Sequence, residues 1–177
     1  IVEMTVLTKT YYNDVLKYIN VPGTRYPLPP TNTALATQFE GLNEFKSASD
    51  SIIFKSGQFR RIFGDDAEPD LQAKFRVVKL SDSASDNDIK NRIVGAINSY
   101  FNASNWDFGE TFYFTELSSF IHRRLEGLIG SIVLLPKNSK GQFGDLFSIR
   151  PESNELLIPT TKVTDIEIIS KLSRTTL

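Results

Sequence analysis

The chain has 177 residues, 40% of them hydrophobic, and its 20 basic and 21 acidic side chains leave a formal charge of −1. That length suits one domain or two small ones and should bury roughly 70% of the unfolded surface. The near-zero charge lacks the basic footprint of a non-specific nucleic-acid binder, and the absence of cysteine excludes disulfides and thiolate metal sites and fits a reducing cytoplasm. No apolar run approaches the ~20 residues of a membrane-spanning helix, and no secretory leader is visible. The sequence opens on Ile1 without an initiator methionine, so a fragment, a processed product or the ordered tail of something longer is expected.

Residues 1–8 are β-branched and apolar on both faces, which predicts a covered strand. Residues 11–19 predict a short helix capped by Thr10, with Tyr11, Val15, Tyr18 and Ile19 inward. Pro22, Pro27, Pro29 and Pro30 hold residues 21–31 extended, as a stiff connector lying on its own domain rather than a proline-rich ligand. Leu35, Phe39 and Leu42 then fall at helical spacing. In residues 51–63 two β-prone arms flank Ser56-Gly57, which reads as a hairpin with Phe54 facing Phe59. An acidic loop follows over 65–70. Leu71, Ala73, Phe75 and Val77 alternate with Gln72, Lys74 and Arg76, a strand with one buried and one wet face.

The stretch 85–135 is the most ordered in its pattern. Asp86-Asn87-Asp88 opens a helix whose stripe is Ile89, Ile93, Ala96, Ile97, Tyr100 and Phe101. Thr115 reads as the N-cap of a second helix, with Glu116 near its positive end and Leu117, Phe120, Ile121, Leu125, Leu128 and Ile129 inward. Gly127 and Gly130 weaken and stop it, and Ile132 to Leu135 is apolar without a break, as in a doubly covered strand. Short β-prone runs at 145–149 and 155–158 flank a turn at 150–154. In 162–169, Ile166 and Ile168 share one face while Asp165 and Glu167 share the other, as on an edge strand. Residues 170–177 are expected frayed or docked on a partner. The whole predicts an α+β fold: two amphipathic helices packed with short, mostly antiparallel strands and β-hairpins. A β-rich subdomain with the proline-rich connector covers 1–85, and a helix–loop–helix subdomain with short strands covers 86–177.

Reactive constellations are thin. The sole histidine, His122, has Ser118 and Glu126 one turn away on the polar flank of its helix, and no G-x-S-x-G elbow presents a serine. Ile1-Val2 resembles an activated protease amino terminus, without support downstream. Residues 82–88 (DSASDND) lack the central glycine and closing glutamate of a calcium loop, and Asp65, Asp66, Glu68 and Asp70 read as an acidic surface loop. Arg60, Arg61, Lys74, Arg76 and Lys79 read as a solvated strand face, because no exposed aromatics interleave them. Neither a P-loop nor a dinucleotide fingerprint occurs, residues 141–144 read as a turn, and spacing alone does not make Glu110 and Glu116 an acid–base pair. No catalytic, cofactor-binding or metal-ligating residue is assigned.

Residues 105–114 (NWDFGETFYF) hold five aromatics in ten positions, a plug between two helices or a contact surface. From there NWDFGETFYFTELSSFIHRRL and then SIVLLPKNSKGQFGDLFSIRPESNELLIPTTKVTDIEII resemble the closing region of the baseplate-J-like family, the wedge subunits of contractile phage tails. The likeness is strongest to the large inner-ring wedge subunits of T-even-type phages. The matching features are Tyr100-Phe101, Gly109-Glu110, Thr115-Glu116-Leu117, residues 132–135 and residues 163–169, within a likeness that spans roughly 89–170. The resemblance implies a structural, non-enzymatic protein of the virion baseplate, assembled in the host cytoplasm, with no cofactor, nucleic acid, membrane insertion or small-molecule substrate. It implies homodimers set in a ring, in contact with other wedge proteins, that follow the baseplate through its rearrangement on sheath contraction. A carbohydrate- or peptide-binding module using residues 105–114 is the alternative.

Overall fold

In the computed structural model, residues 1–46, 50–80 and 82–169 are described, and the expectation for 170–177 falls outside them. Strands β1 (Val2–Val6) and β2 (Ile52–Ser56) pair in parallel, with helices α1 (Lys9–Asn20) and α2 (Asn32–Gln38) between them in sequence. β3 (Gln58–Ile62) pairs in parallel with β8 (Glu155–Pro159). The third sheet has the order β6-β4-β9, in which β4 (Ala73–Lys79) runs antiparallel to β6 (Ile129–Pro136) and parallel to β9 (Ile166–Ile169). Helices α3 (Asp86–Tyr100) and α4 (Phe114–Arg124) lie between β4 and β6 in sequence, and a short antiparallel pair joins β5 (Phe112–Tyr113) to β7 (Ser148–Ile149). The fold is α+β, with α3 and α4 packed on short strands. It differs from expectation in strand direction: among the described residues three of the five ladders are parallel, and no two consecutive strands form a hairpin.

Three helix starts follow from local chemistry. The hydroxyls of Thr8, Thr31 and Ser85 accept hydrogen bonds from the backbone N–H of Tyr11, Ala34 and Asp88, so each satisfies an otherwise orphaned donor. Thr8 therefore replaces Thr10 as the cap of α1. In α4 the expected cap, Thr115, already lies inside the helix. Tyr113 takes the cap position without a side-chain bond, because β5 leads straight into the helix and Phe114 N–H donates to Phe147 O. The helix also ends early: Leu125 is its C-cap, and Gly127, at φ 78°, supports the turn into β6.

The main core lies between the α3–α4 pair and the β6-β4-β9 sheet. Ile89, Ile93, Ala96 and Ile97 of α3 and Leu117 and Ile121 of α4 meet Phe75, Val77, Ile132, Leu134 and Ile166. Phe63 is its hub. Fully buried, it lies edge-on to Phe75, Phe101 and Phe112 and stacks on Phe143. It holds φ at 74°, a conformation that a bulky side chain adopts only under constraint. The constraint is visible: Phe63 N–H donates to Leu71 O while its carbonyl accepts from Ala73 N–H. A Cβ at the adjoining Gly64 would stand 2.2 Å from Thr160 O. A second, smaller core lies under α1, where Tyr11 and Val15 cover Phe59, Leu156 and Ile158. The β3–β8 sheet is thus covered on both faces, since Ile62 and Leu157 belong to the main core.

Four expectations are corrected. The Ser56-Gly57 segment is no hairpin turn. Gly57 N–H donates to Val6 O, a Cβ there would strike the Phe108 ring at 2.7 Å, and the two arms enter different sheets. Phe54 consequently stacks on Phe39, and Phe59 on Tyr12. β1 is not covered, for Val2, Glu3 and Met4 are exposed. β6 is covered on one face only, with Val133 44% exposed between buried Ile132 and Leu134. Asp165, expected outward with Glu167, is 5% exposed because it sits in the 3-10 turn before β9, where strand alternation has not begun. β9 itself is an edge strand as expected. Strand pairing also crosses the anticipated boundary at residue 85, since β3 and β4 pair with β8, β6 and β9.

Candidate interaction surface

The features that could carry function are surfaces, and the N-terminal sheet is the most distinctive. Helix α2 rests on β2 through Leu35 and Phe39, yet the sheet leaves Ile1, Val2, Met4 and Ile53 exposed. Phe45 is 86% exposed and, with Val2, Met4, Leu42 and Ile52, lines an open, mostly apolar cleft of about 270 Å³ that Lys46 and Asp50 border. A two-stranded sheet is marginal by itself, and apolar side chains gathered at an open edge mark a contact site. The register shows which backbone groups are free. Val2 N–H donates to Ser51 O and Val6 O accepts from Gly57 N–H, so the even residues of β1 face β2 while Glu3 and Thr5 direct their N–H and C=O outward.

Other edges are closed by side chains. On β2, Asn32 accepts from Ser56 N–H and Asn154 donates to Ser56 O. On β3, the Tyr26 hydroxyl donates to Phe59 O. Beside that strand lies a polar groove of about 520 Å³, whose walls include Tyr26, Arg60, Arg61, Glu68, Glu152 and Glu155. Its arginines are engaged: Arg60 pairs with Glu68 at 3.0 Å, and Arg61 donates to the Tyr18 hydroxyl while covering the Tyr26 ring at 4.3 Å. One Glu155 oxygen is buried without a hydrogen-bond partner, and burial pushes its carboxyl above the ordinary glutamate range.

The expected basic strand face is therefore mostly neutralised. Arg60 pairs with Glu68, Arg76 with Glu167 and Lys79 with Asp86, while among the described residues Lys74 and Arg61 show no ion pair, Arg61 being held instead by the Tyr18 hydroxyl and the Tyr26 ring. The acidic loop is divided in the same way. Glu68 is held by Arg60, and Asp65 pairs at 2.8 Å with Lys137, whose hydrogen bond lowers the Asp65 carboxyl below its usual range. Lys137 also pairs with buried Asp165, which caps its own turn by accepting from Lys162 N–H. Burial works against the charged ammonium, but the hydrogen bonds to Asp165 and Asp65 outweigh it and raise the Lys137 pKa. This network ties β6 to the loops before β4 and β9. The sequence offered no local signal for it, since its members lie far apart in the chain.

The aromatic segment is largely folded inward. Phe112 is fully buried, and the Trp106 ring lies flat on Phe101 while its indole N–H donates to Tyr100 O at 2.8 Å. Tyr113 remains half exposed. Glu110 accepts from Asp107 N–H and Glu116 from the Tyr100 hydroxyl, whose pKa is pushed up to about 12 by burial and then by Glu116. His122 bonds through Nδ1 to Ser118 O within its own helix. Ser85 and the Asp86 and Asp88 carboxylates serve the start of α3, with Asp88 also paired to Arg92. Among the described residues, no group of three or more His, Asp or Glu side chains could hold a metal ion, and no helix is long and apolar enough to cross a membrane. Neither the protein-family models nor the curated proteins compared with this chain match it.

Proposed function

We propose that this chain is a structural part of a contractile phage-tail baseplate wedge, acting by self-association and by contact with neighbouring wedge proteins. The observation that carries the reading is the β1–β2 sheet, whose unpaired strand edge and exposed Val2, Met4, Phe45 and Ile53 adjoin an otherwise well-packed body. A part of this kind needs a rigid interior and at least one contact face. The segments that resemble the baseplate-J-like closing region fit the same reading. Tyr100-Phe101, Leu117, residues 132–135 and residues 163–169 all supply side chains packed in or against the main core. Gly109, at φ 75°, makes the bend of the aromatic linker. The test is the solution mass of the purified chain over rising concentration, together with its binding to other proteins of the same tail. The reading predicts dimers or larger species and specific capture by wedge neighbours. A strict monomer that binds none of them contradicts it.

A further inference from the structure

We infer that the outward edge of β1 pairs antiparallel with the same edge of a second copy of this chain, about a two-fold axis at Met4. This rests on the self-association reading above and names its surface. The free groups on that edge belong to Glu3 and Thr5. With the axis at Met4, Glu3 faces the Thr5 position of the second copy and the reverse, and each such pair exchanges both of its N–H···O bonds. Val2 meets the Val6 position and Met4 meets its own counterpart, so the apolar side chains of this face of β1 adjoin across the junction. On the opposite face no like charges stand directly opposed, and each Glu3 is already neutralised at 2.8 Å by Lys55 of its own β2.

Neighbouring registers are worse. An axis at Glu3 opposes two carboxylates. One at Thr5 enlists Leu7, which is drawn into the packing beneath α1 and is followed by the Thr8 cap. The product at Met4 is a four-stranded sheet, β2-β1-β1-β2, in which both marginal two-stranded sheets gain a neighbour. Unlike β2 and β3, β1 has no side chain bonded to its outward groups among the described residues, and it contains no proline and no lysine to deter pairing.

Because the chain has no cysteine, single-thiol variants read the geometry directly. Met4→Cys places two sulfurs on strands whose facing Cα atoms are about 4.5 Å apart, within disulfide reach. Ile53→Cys places them three strand spacings apart, about 14 Å and out of reach. On mild oxidation at a concentration where the wild type is dimeric, Met4→Cys should become mostly covalent dimer and Ile53→Cys should stay at background. Thr5→Pro removes an outward N–H and no β1–β2 bond, so it should raise the dissociation constant at least tenfold with the melting temperature of the isolated chain unchanged. A wild-type dimer in which Met4→Cys links no faster than Ile53→Cys overturns this pairing and leaves self-association standing. A monomeric wild type that still binds other tail proteins overturns the pairing and leaves the assembly role. The cross-linking comparison decides the matter even where Thr5→Pro fails to fold.

Discussion

The body built on α3, α4 and the β6-β4-β9 sheet and the N-terminal β1–β2–α2 unit use similar residues to opposite effect. In the body, apolar side chains converge on Phe63, polar backbone is closed by caps and ladders, and ion pairs join Arg76 to Glu167, Lys79 to Asp86 and Lys137 to Asp165. In the N-terminal unit Val2, Met4, Phe45 and Ile53 face solvent beside an unpaired strand edge. The body is finished within one chain. The N-terminal unit has the composition of an interior, yet among the described residues nothing covers it, which is the property expected of a contact surface.

Truncating apolar side chains in the two regions should separate them most sharply. Phe63→Ala empties the aromatic hub and should cost about 3–5 kcal/mol in urea unfolding, whereas Ile53→Ala on the open sheet should cost the monomer no more than about 0.5 kcal/mol. Equal losses would erase the distinction. Next in size is Asp165→Ala. It leaves the part-buried Lys137 with only the exposed Asp65 as partner, and should destabilise by about 2 kcal/mol, below the range for breaking a fully buried pair because water still reaches the ammonium. Restoration of part of that loss by Lys137→Met would confirm the cause. Because the Lys137 pKa is raised in the fold, its contribution is complete below the ordinary lysine value and fades as pH rises through the higher folded one. Alkaline titration of stability should therefore show a loss above pH ~10.5 that Lys137→Met lacks.

Smaller effects come from the ends of elements and from the groove. Ser85→Ala removes the α3 cap and should cost about 1 kcal/mol, read as a shift in the thermal midpoint. Glu155→Gln should raise that midpoint slightly at pH 7. A carboxyl with a raised folded pKa contributes stability below its unfolded pKa, and this is lost as pH rises through the folded value. The gain from the amide should accordingly shrink in acid, and a gain that persists unchanged there would point to a different cause.

What was legible in the sequence follows the range of the interactions. Helix α3 could be read because its Asp86-Asn87-Asp88 opening and its Ile89-Ile93-Ala96-Ile97 stripe are local, although the Ser85 cap was not read. β4 could be read because its alternation is strict. Partner choice was not legible. Ser56-Gly57 has the composition of a turn, but Phe108 and Val6, distant in sequence, decide that the arms diverge. Residues 1–8 look like a buried strand because exposed contact faces and interiors draw on the same side chains. Asp165 was misplaced by extending strand alternation into a preceding turn. The exposed apolar face of β1–β2 left no motif, since it consists of what the other described residues do not cover.

Backbone hydrogen exchange at Glu3 and Thr5, followed as protein concentration rises, tests the central claim most directly. The account predicts amides that exchange almost freely in dilute solution and become strongly protected as the chains associate, while Phe63 and its neighbours are protected throughout. Association with Glu3 and Thr5 still exchanging freely, or no association at any concentration, would contradict it.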